Sequence, residues 1–216
     1  MNQLSLNAIA LSLFGMTLFV LVGPFLNISP LWSVGTILLV LSAVTVDAFQ
    51  FQSVGLTLLL DAIAQKLPPY RNRVVCHEAG HFLVATLLEL PIETYTLSVW
   101  EAMRQDVPHY GGVVLQTPDG DSTEWLKANI EKLCAVWVAG GIAEELTYGS
   151  SQGDADDLQQ LRQTLKRLGL SLNLYEQKAK RLARQLLQTQ QASFQALIPK
   201  LAARDSVSEC CQVIQQ

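Results

Sequence analysis

The sequence predicts a mainly α-helical protein with a small β-sheet, in which two N-terminal transmembrane helices precede a helical globular domain. Three observations carry that expectation. Charge is segregated: all 15 lysines and arginines lie at or beyond Lys66, while only Asp47 and Asp61 of the 19 acids precede it. The stretch from Leu4 to Val46 has no ionisable side chain. Beyond residue 66, apolar residues recur at helical spacing in long runs, interrupted by two short segments of alternating character. The expected boundary is therefore between an anchor, residues 1–65, and a domain, residues 66–216. The near-balanced charge of that domain leaves no footprint for nucleic acid, and a 50% hydrophobic composition excludes a disordered chain.

Within the anchor, proline and glycine punctuation at Gly23-Pro24 and Ser29-Pro30 divides the apolar run into two expected spans, about 4–25 and 31–49. The second is short unless it continues past Asp47. Val54 to Ile63 is too short to span and reads as a linking or surface-lying helix. A cleaved signal peptide fits poorly, since there is no basic n-region and the apolar stretch is too long. A hairpin returns the chain to its starting side, and Lys66, Arg71 and Arg73 follow at once. The positive-inside rule then predicts an integral membrane protein with its domain on the cytoplasmic or stromal side. Cys76, Cys134, Cys210 and Cys211 show no paired spacing, which fits a reducing compartment.

After Pro68-Pro69, Val74 to Leu88 reads as one helix carrying His77-Glu78-Ala79-Gly80-His81. At about 100° per residue, two histidines four positions apart lie about 40° apart on one face, so both imidazoles reach a single ion. Zinc suits nitrogen ligands, and a catalytic zinc site takes three protein ligands and leaves one position to water. Glu78 lies beside the pair, placed to accept a proton rather than to bind. Burying two histidines and a glutamate on an apolar helix without partners costs several kcal/mol, and Gly80 adds about 1 kcal/mol. A structural helix has no reason to carry both. An intramembrane protease is the alternative for this motif, with Pro118-Asp119-Gly120 as its second element, but no span of adequate length follows it.

Glu93 to Trp100 and Tyr110 to Gln116 alternate in character and read as two strands joined by a loop. Trp125 to Tyr148 reads as a buried helix in which Gly140-Gly141 would permit close approach of another helix; a merely tolerated glycine pair explains them equally well. A further helix begins near Asp154, with Ser151 to Asp154 as its cap and acids in its first turn. Capping accounts for Asp154 and Asp156 but leaves Asp157, just before Leu158, without a purpose. Tyr175 to Gln195 reads as a packing helix with a basic solvated side.

These motifs in this order resemble the peptidase domain of the FtsH family of membrane-anchored zinc proteases. The resemblance rests on His77-Glu78-Ala79-Gly80-His81, on Gly140 to Leu146 followed by Tyr148-Gly149, and on Gly153 to Leu158, and it runs over roughly residues 70–175. It implies a helical zincin-like fold and a zinc endopeptidase. His77, His81 and Asp157 would be the ligands, Glu78 the general base, and Glu144 a residue close to the metal. Gly111, Gly112, Val113 and Val114 would form an edge strand on which a peptide lies extended; hairpin glycines explain Gly111-Gly112 equally well. His109 is a remote candidate third ligand. Expected partners are protein or peptide substrates, the membrane, and either further copies of the chain or an FtsH-type ATPase protease. A plastid or cyanobacterial membrane would suit it.

Two departures from the family are evident. No GxxxxGK[ST] occurs in the 216 residues, so the ATPase module is missing. Asp156 stands where the family commonly has Asn, adding charge beside the proposed ligand. The first departure motivates a rival expectation, a non-catalytic membrane subunit that associates with a true FtsH protease. The intact HExxH and Asp157 argue against it.

Overall fold

The computed structural model describes residues 14–26, 29–50, 54–107, 111–117 and 123–215. The chain divides into two compact units, Met1–Leu60 and Asp61–Gln216. In the first, residues 14–22 are helical and a 3-10 turn follows at Gly23–Leu26. Helix α1 is Pro30–Gln50, and α2, Val54–Ala64, leads from this unit into the second.

The two transmembrane helices are the main correction to the expected fold. Among the described residues, no helix is long and apolar enough to cross a membrane. The described helical residues 14–22 rise roughly 14 Å before Gly23-Pro24 tightens the backbone, and a bilayer core is about 30 Å thick. Residues 4–13 lie outside the described residues. Helix α1 has 21 residues, but its uncharged run from Leu31 to Val46 is shorter than the roughly 20 residues a span requires. The integral-membrane localisation inferred from these spans falls with them.

The second unit is built on α3, Pro68–Leu87, which starts with prolines at its first two positions, where a missing N–H costs nothing. Strand β1, Ile92–Thr96, pairs antiparallel with β2, Gly112–Leu115, placing Thr96 opposite Gly112 and Ile92 opposite Leu115. The expected loop between the strands contains a short helix, α4, Val99–Arg104, because the Ser98 hydroxyl accepts from the Glu101 amide at 3.1 Å and caps it. Helix α5 is Thr123–Tyr148, α6 is Ala155–Arg167 and α7 is Leu172–Thr189. Helices α8, Gln191–Ala203, and α9, Val207–Ile214, complete the chain. The single helix expected over 175–195 is divided, as the backbone turns at Gln190 with ψ 35°.

Phe82, Leu83, Leu161, Leu165, Leu197 and Leu201 are fully buried, and burial of each stabilises the fold by about 1.5–3 kcal/mol. They join α3, α6 and α8 into one core with α5. Helices α3 and α5 meet at Gly80, where an added Cβ would lie 2.6 Å from the Ala139 carbonyl oxygen and 2.7 Å from the Ala143 Cβ. The mid-helix glycine thus permits the contact that brings the two site-bearing helices together.

Candidate metal centre

Close approach of α3 and α5 sets the site. His77 and His81 point from α3 towards α5, and the space they need is vacated by Gly140, where a Cβ would collide with the Nε2 atoms of both rings. Asp157 enters from the first turn of α6. His77 Nε2 stands 3.0 Å and His81 Nε2 3.2 Å from Asp157 Oδ2, and the two Nε2 atoms are 2.9 Å apart. The three residues form a group whose ligand atoms lie within 4.8 Å of one another.

Each imidazole is fixed from behind. His81 Nδ1 donates to the Val136 carbonyl at 2.7 Å, which sets its tautomer, since a carbonyl can only accept. His77 Nδ1 donates to Glu144 Oε1 at 2.8 Å. Both Nε2 atoms therefore turn to the shared space. Glu144 is 1% exposed and every direction around its carboxylate is used. Arg73 Nη1 and the Gln152 amide donate to Oε2 at 2.8 and 3.0 Å, and the Gly153 amide donates to Oε1 at 3.2 Å.

The electrostatics follow from this packing. Burial lowers the pKa of His77, but the hydrogen bonds it donates to Asp157 and Glu144 outweigh that and push the imidazole up to about 10. His81 is likewise raised: burial opposes its charged form, and the Asp157 charge and hydrogen bond prevail. Burial raises Asp157, but the two imidazoles hold it well below the usual carboxylate range. Glu144 is lowered despite burial by His77 and Arg73. Glu78 behaves differently: burial raises it, and the imidazole charges only partly offset that effect.

Glu78 sits outside the triangle, towards β2. Its Oε2 is enclosed and has no hydrogen-bond partner among the described residues, while the Val113 amide hydrogen-bonds to the carboxylate. A Cβ on Gly112 would lie 3.3 Å from Oε2. Gly111 and Gly112 both have φ 107°, a conformation open to glycine. Val113 and Val114 continue the strand opposite Tyr95 and Thr94. His109 lies outside the described residues, and Asp156 is exposed. Asp154 precedes α6 without the expected side-chain cap; its Cβ instead lies against Gly141, within 2.9 Å of where a Cβ there would be.

Sequence reasoning misses four participants. Arg73 enters it only as a topological charge, and the Val136 carbonyl and the Gln152 and Gly153 amides do not enter it at all. Backbone groups leave no residue-type signal. The one available clue was an arginine one turn before the first histidine.

Two imidazole nitrogens and one carboxylate oxygen suit zinc. Edges of 2.9, 3.0 and 3.2 Å fall slightly short of the roughly 3.3 Å edge of a tetrahedron with bonds of about 2.0–2.1 Å, so zinc would require only a small opening of the triangle. The histidines and aspartate thus fit that ion in chemistry and in spacing.

Comparison with known proteins points the same way. Residues 67–209 match the model of peptidase family M41. The chain is 32% identical over 106 residues to the ATP-dependent zinc metalloprotease FtsH 2 of Symbiobacterium thermophilum, covering 47% of this chain and 16% of that one. It is 34% identical over 113 residues to the ATP-dependent zinc metalloprotease FtsH of a Synechococcus strain, again covering 47% and 16%. With FtsH 2 of Sphaerobacter thermophilus the identity is 33% over 99 residues, 45% of this chain and 14% of the relative. The chain thus spans about one sixth of the length of these relatives. No solved structure matches it.

Proposed function

Because the chain belongs to peptidase family M41, we propose that it is a zinc-dependent endopeptidase that hydrolyses peptide bonds in unfolded or loosely folded protein chains. The observation that carries this reading is the convergence of His77 Nε2, His81 Nε2 and Asp157 Oδ2, drawn from two helices, on one point. These three residues would hold the ion. A zinc ion held there would supply Lewis acidity towards water and the scissile carbonyl.

The remaining steps belong to the chain's own side chains. Glu78 takes the proton of the attacking water on its carboxylate and returns it to the leaving amine nitrogen. Its enclosed, unpartnered Oε2 and its pKa raised by burial suit a group that must gain and lose a proton. Glu144 holds the His77 ring in one tautomer and orientation. β2 is paired only with β1 among the described residues, and its Val113 amide faces Glu78. A substrate laid along Gly111 to Val114 as an added strand would therefore pass the general base.

The 216 residues contain no GxxxxGK[ST]. We propose substrates that arrive already unfolded or are delivered by an FtsH-type ATPase subunit, with self-association as the other assembly. Zinc content and casein cleavage of the full chain, in wild type and Glu78→Gln, test the reading. Zinc should be retained and cleavage lost in the variant; equal cleavage by both would refute it.

A further inference from the structure

Arg73 takes no part in the reaction just described, yet it contacts two of the supports of the centre. Its Nη1 donates to Glu144 Oε2 and to the Ser150 carbonyl, each at 2.8 Å, using both hydrogens of one nitrogen. Its guanidinium carbon stands 4.5 Å from the centroid of the Tyr148 ring, which stacks beneath it. Glu144 passes this contact on to His77 through its other oxygen. Ser150 lies in the loop that leads out of α5 into α6, the helix that brings in Asp157. The side chain of Arg73 is itself only 20% exposed.

We propose that Arg73 is a positioning residue of the metal centre, bracing His77 through Glu144 and Asp157 through the loop at Ser150, and so setting how tightly the centre holds its ion. This rests on the zinc reading of His77, His81 and Asp157. The physical reason is the burial of Glu144. An enclosed carboxylate needs compensating charge and full hydrogen bonding to stay in place, and Arg73 is the side chain that gives Oε2 both. Without the guanidinium, Oε2 keeps only the Gln152 amide, and the Ser150 carbonyl loses its tie to α3. The His77 ring then has a looser acceptor behind it and Asp157 a looser approach. Lysine would retain the charge but not the planar group that sits over Tyr148 while reaching two acceptors.

The test measures zinc dissociation constants of the full chain by chelator competition for wild type, Arg73→Lys and Arg73→Met. Far-UV circular dichroism of the metal-free forms controls for folding. Supporting groups of this kind typically change metal affinity by about 10–100-fold. Arg73→Met is therefore expected to bind zinc that much more weakly at unchanged helix content, with Arg73→Lys intermediate. In metal-free wild type the His77 Nδ1 proton should be protected from exchange in nitrogen-15 imidazole spectra, and Arg73→Met should lose that protection. Unchanged affinity in Arg73→Met, or an unchanged His77 signal, would overturn the proposal. If Arg73→Met does not fold, wild-type affinity in Arg73→Lys overturns it and weakened affinity supports it. Failure of wild type to bind zinc would instead remove the zinc reading, a different and distinguishable result.

Discussion

The two flanks of the HExxH turn are built on opposite principles. On the His77 flank, the groups behind the rings are tied down: Glu144 takes donors from Arg73, Gln152, Gly153 and His77, and His81 is anchored on the Val136 carbonyl. One residue further along, on the Glu78 flank, a carboxylate oxygen is enclosed with no partner among the described residues, and it faces Gly112, whose φ of 107° is a conformation most residues avoid. Saturated hydrogen bonding is what a group needs to hold still. Incomplete hydrogen bonding, beside a pKa raised by burial, suits a group that must exchange a proton. Under the proposed mechanism, holding and acting are segregated by a single residue step along α3.

The largest expected effect breaks this comparison at its reactive side. Glu78→Gln should lower kcat by about 10²–10⁴ with zinc content unchanged, measured by peptide cleavage and metal analysis on the same sample. Loss of zinc in that variant would mean that Glu78 also holds, and the division would fail.

Gly140→Ala strikes the opposite flank. Its Cβ would stand 2.5 Å from His77 Nε2 and collide with His81 Nε2, so zinc affinity should drop by roughly tenfold or more. Alanine is a better helix former than glycine by about 1 kcal/mol, so a fault in α5 itself would not explain such a loss. Isothermal titration with zinc reads it, and wild-type affinity would show that the rings do not need the vacated space.

A smaller effect concerns metal-free protein and pH. The folded pKa of His77 is pushed up to about 10, above the ordinary value of about 6.5 in the unfolded chain. The stability it contributes is thus complete below about pH 6.5 and is lost as pH rises towards 10. Asp157, held low, contributes stability that is present above its ordinary range and lost only in strong acid. Thermal melts of the chelated protein should therefore fall from neutral pH towards 10. Zinc binding, which needs neutral imidazoles, should improve over the start of the same range. A chelated protein that grows more stable with rising pH would contradict the assigned ion pair.

The smallest effect sharpens the reactive flank. Gly112→Ala imposes a left-handed backbone on alanine, a strain of about 1–2 kcal/mol, and brings a methyl within 3.3 Å of Glu78 Oε2. KM for an extended peptide should rise several-fold with zinc affinity unaffected. Steady-state kinetics at fixed zinc would expose a role confined to folding, in which KM stays constant.

Much of the fold was legible because periodicity is local. The α3 and α5 helices, the two strands and the start of α6 can be read from spacing and punctuation, since each depends on neighbours within a few residues. The break at Gln190 and the short helix capped by Ser98 went unread, the first because amphipathic spacing continues across it, the second because a six-residue helix is shorter than one clear period. The membrane spans failed for a related reason. Absence of charge between Leu4 and Val46 is a property of composition, whereas crossing a bilayer requires an uninterrupted helix of sufficient rise, and Gly23-Pro24 and Asp47 limit it.

Of the site, the sequence by itself determined the pair His77 and His81 with Glu78 beside them, because all three are fixed by the pitch of one helix. It did not determine Asp157, which sits 76 residues beyond His81 and reached the reading only through family resemblance. Tertiary structure alone decided that Asp157 Oδ2 meets both rings, that Gly140 clears their space and that Arg73 and Glu144 stand behind His77. The physical reason is range: helical geometry orders residues within a turn or two. Bringing a carboxylate from another helix to within 3.0 Å of an imidazole depends on the packing of α3 against α5, and no local pattern of residues encodes that distance.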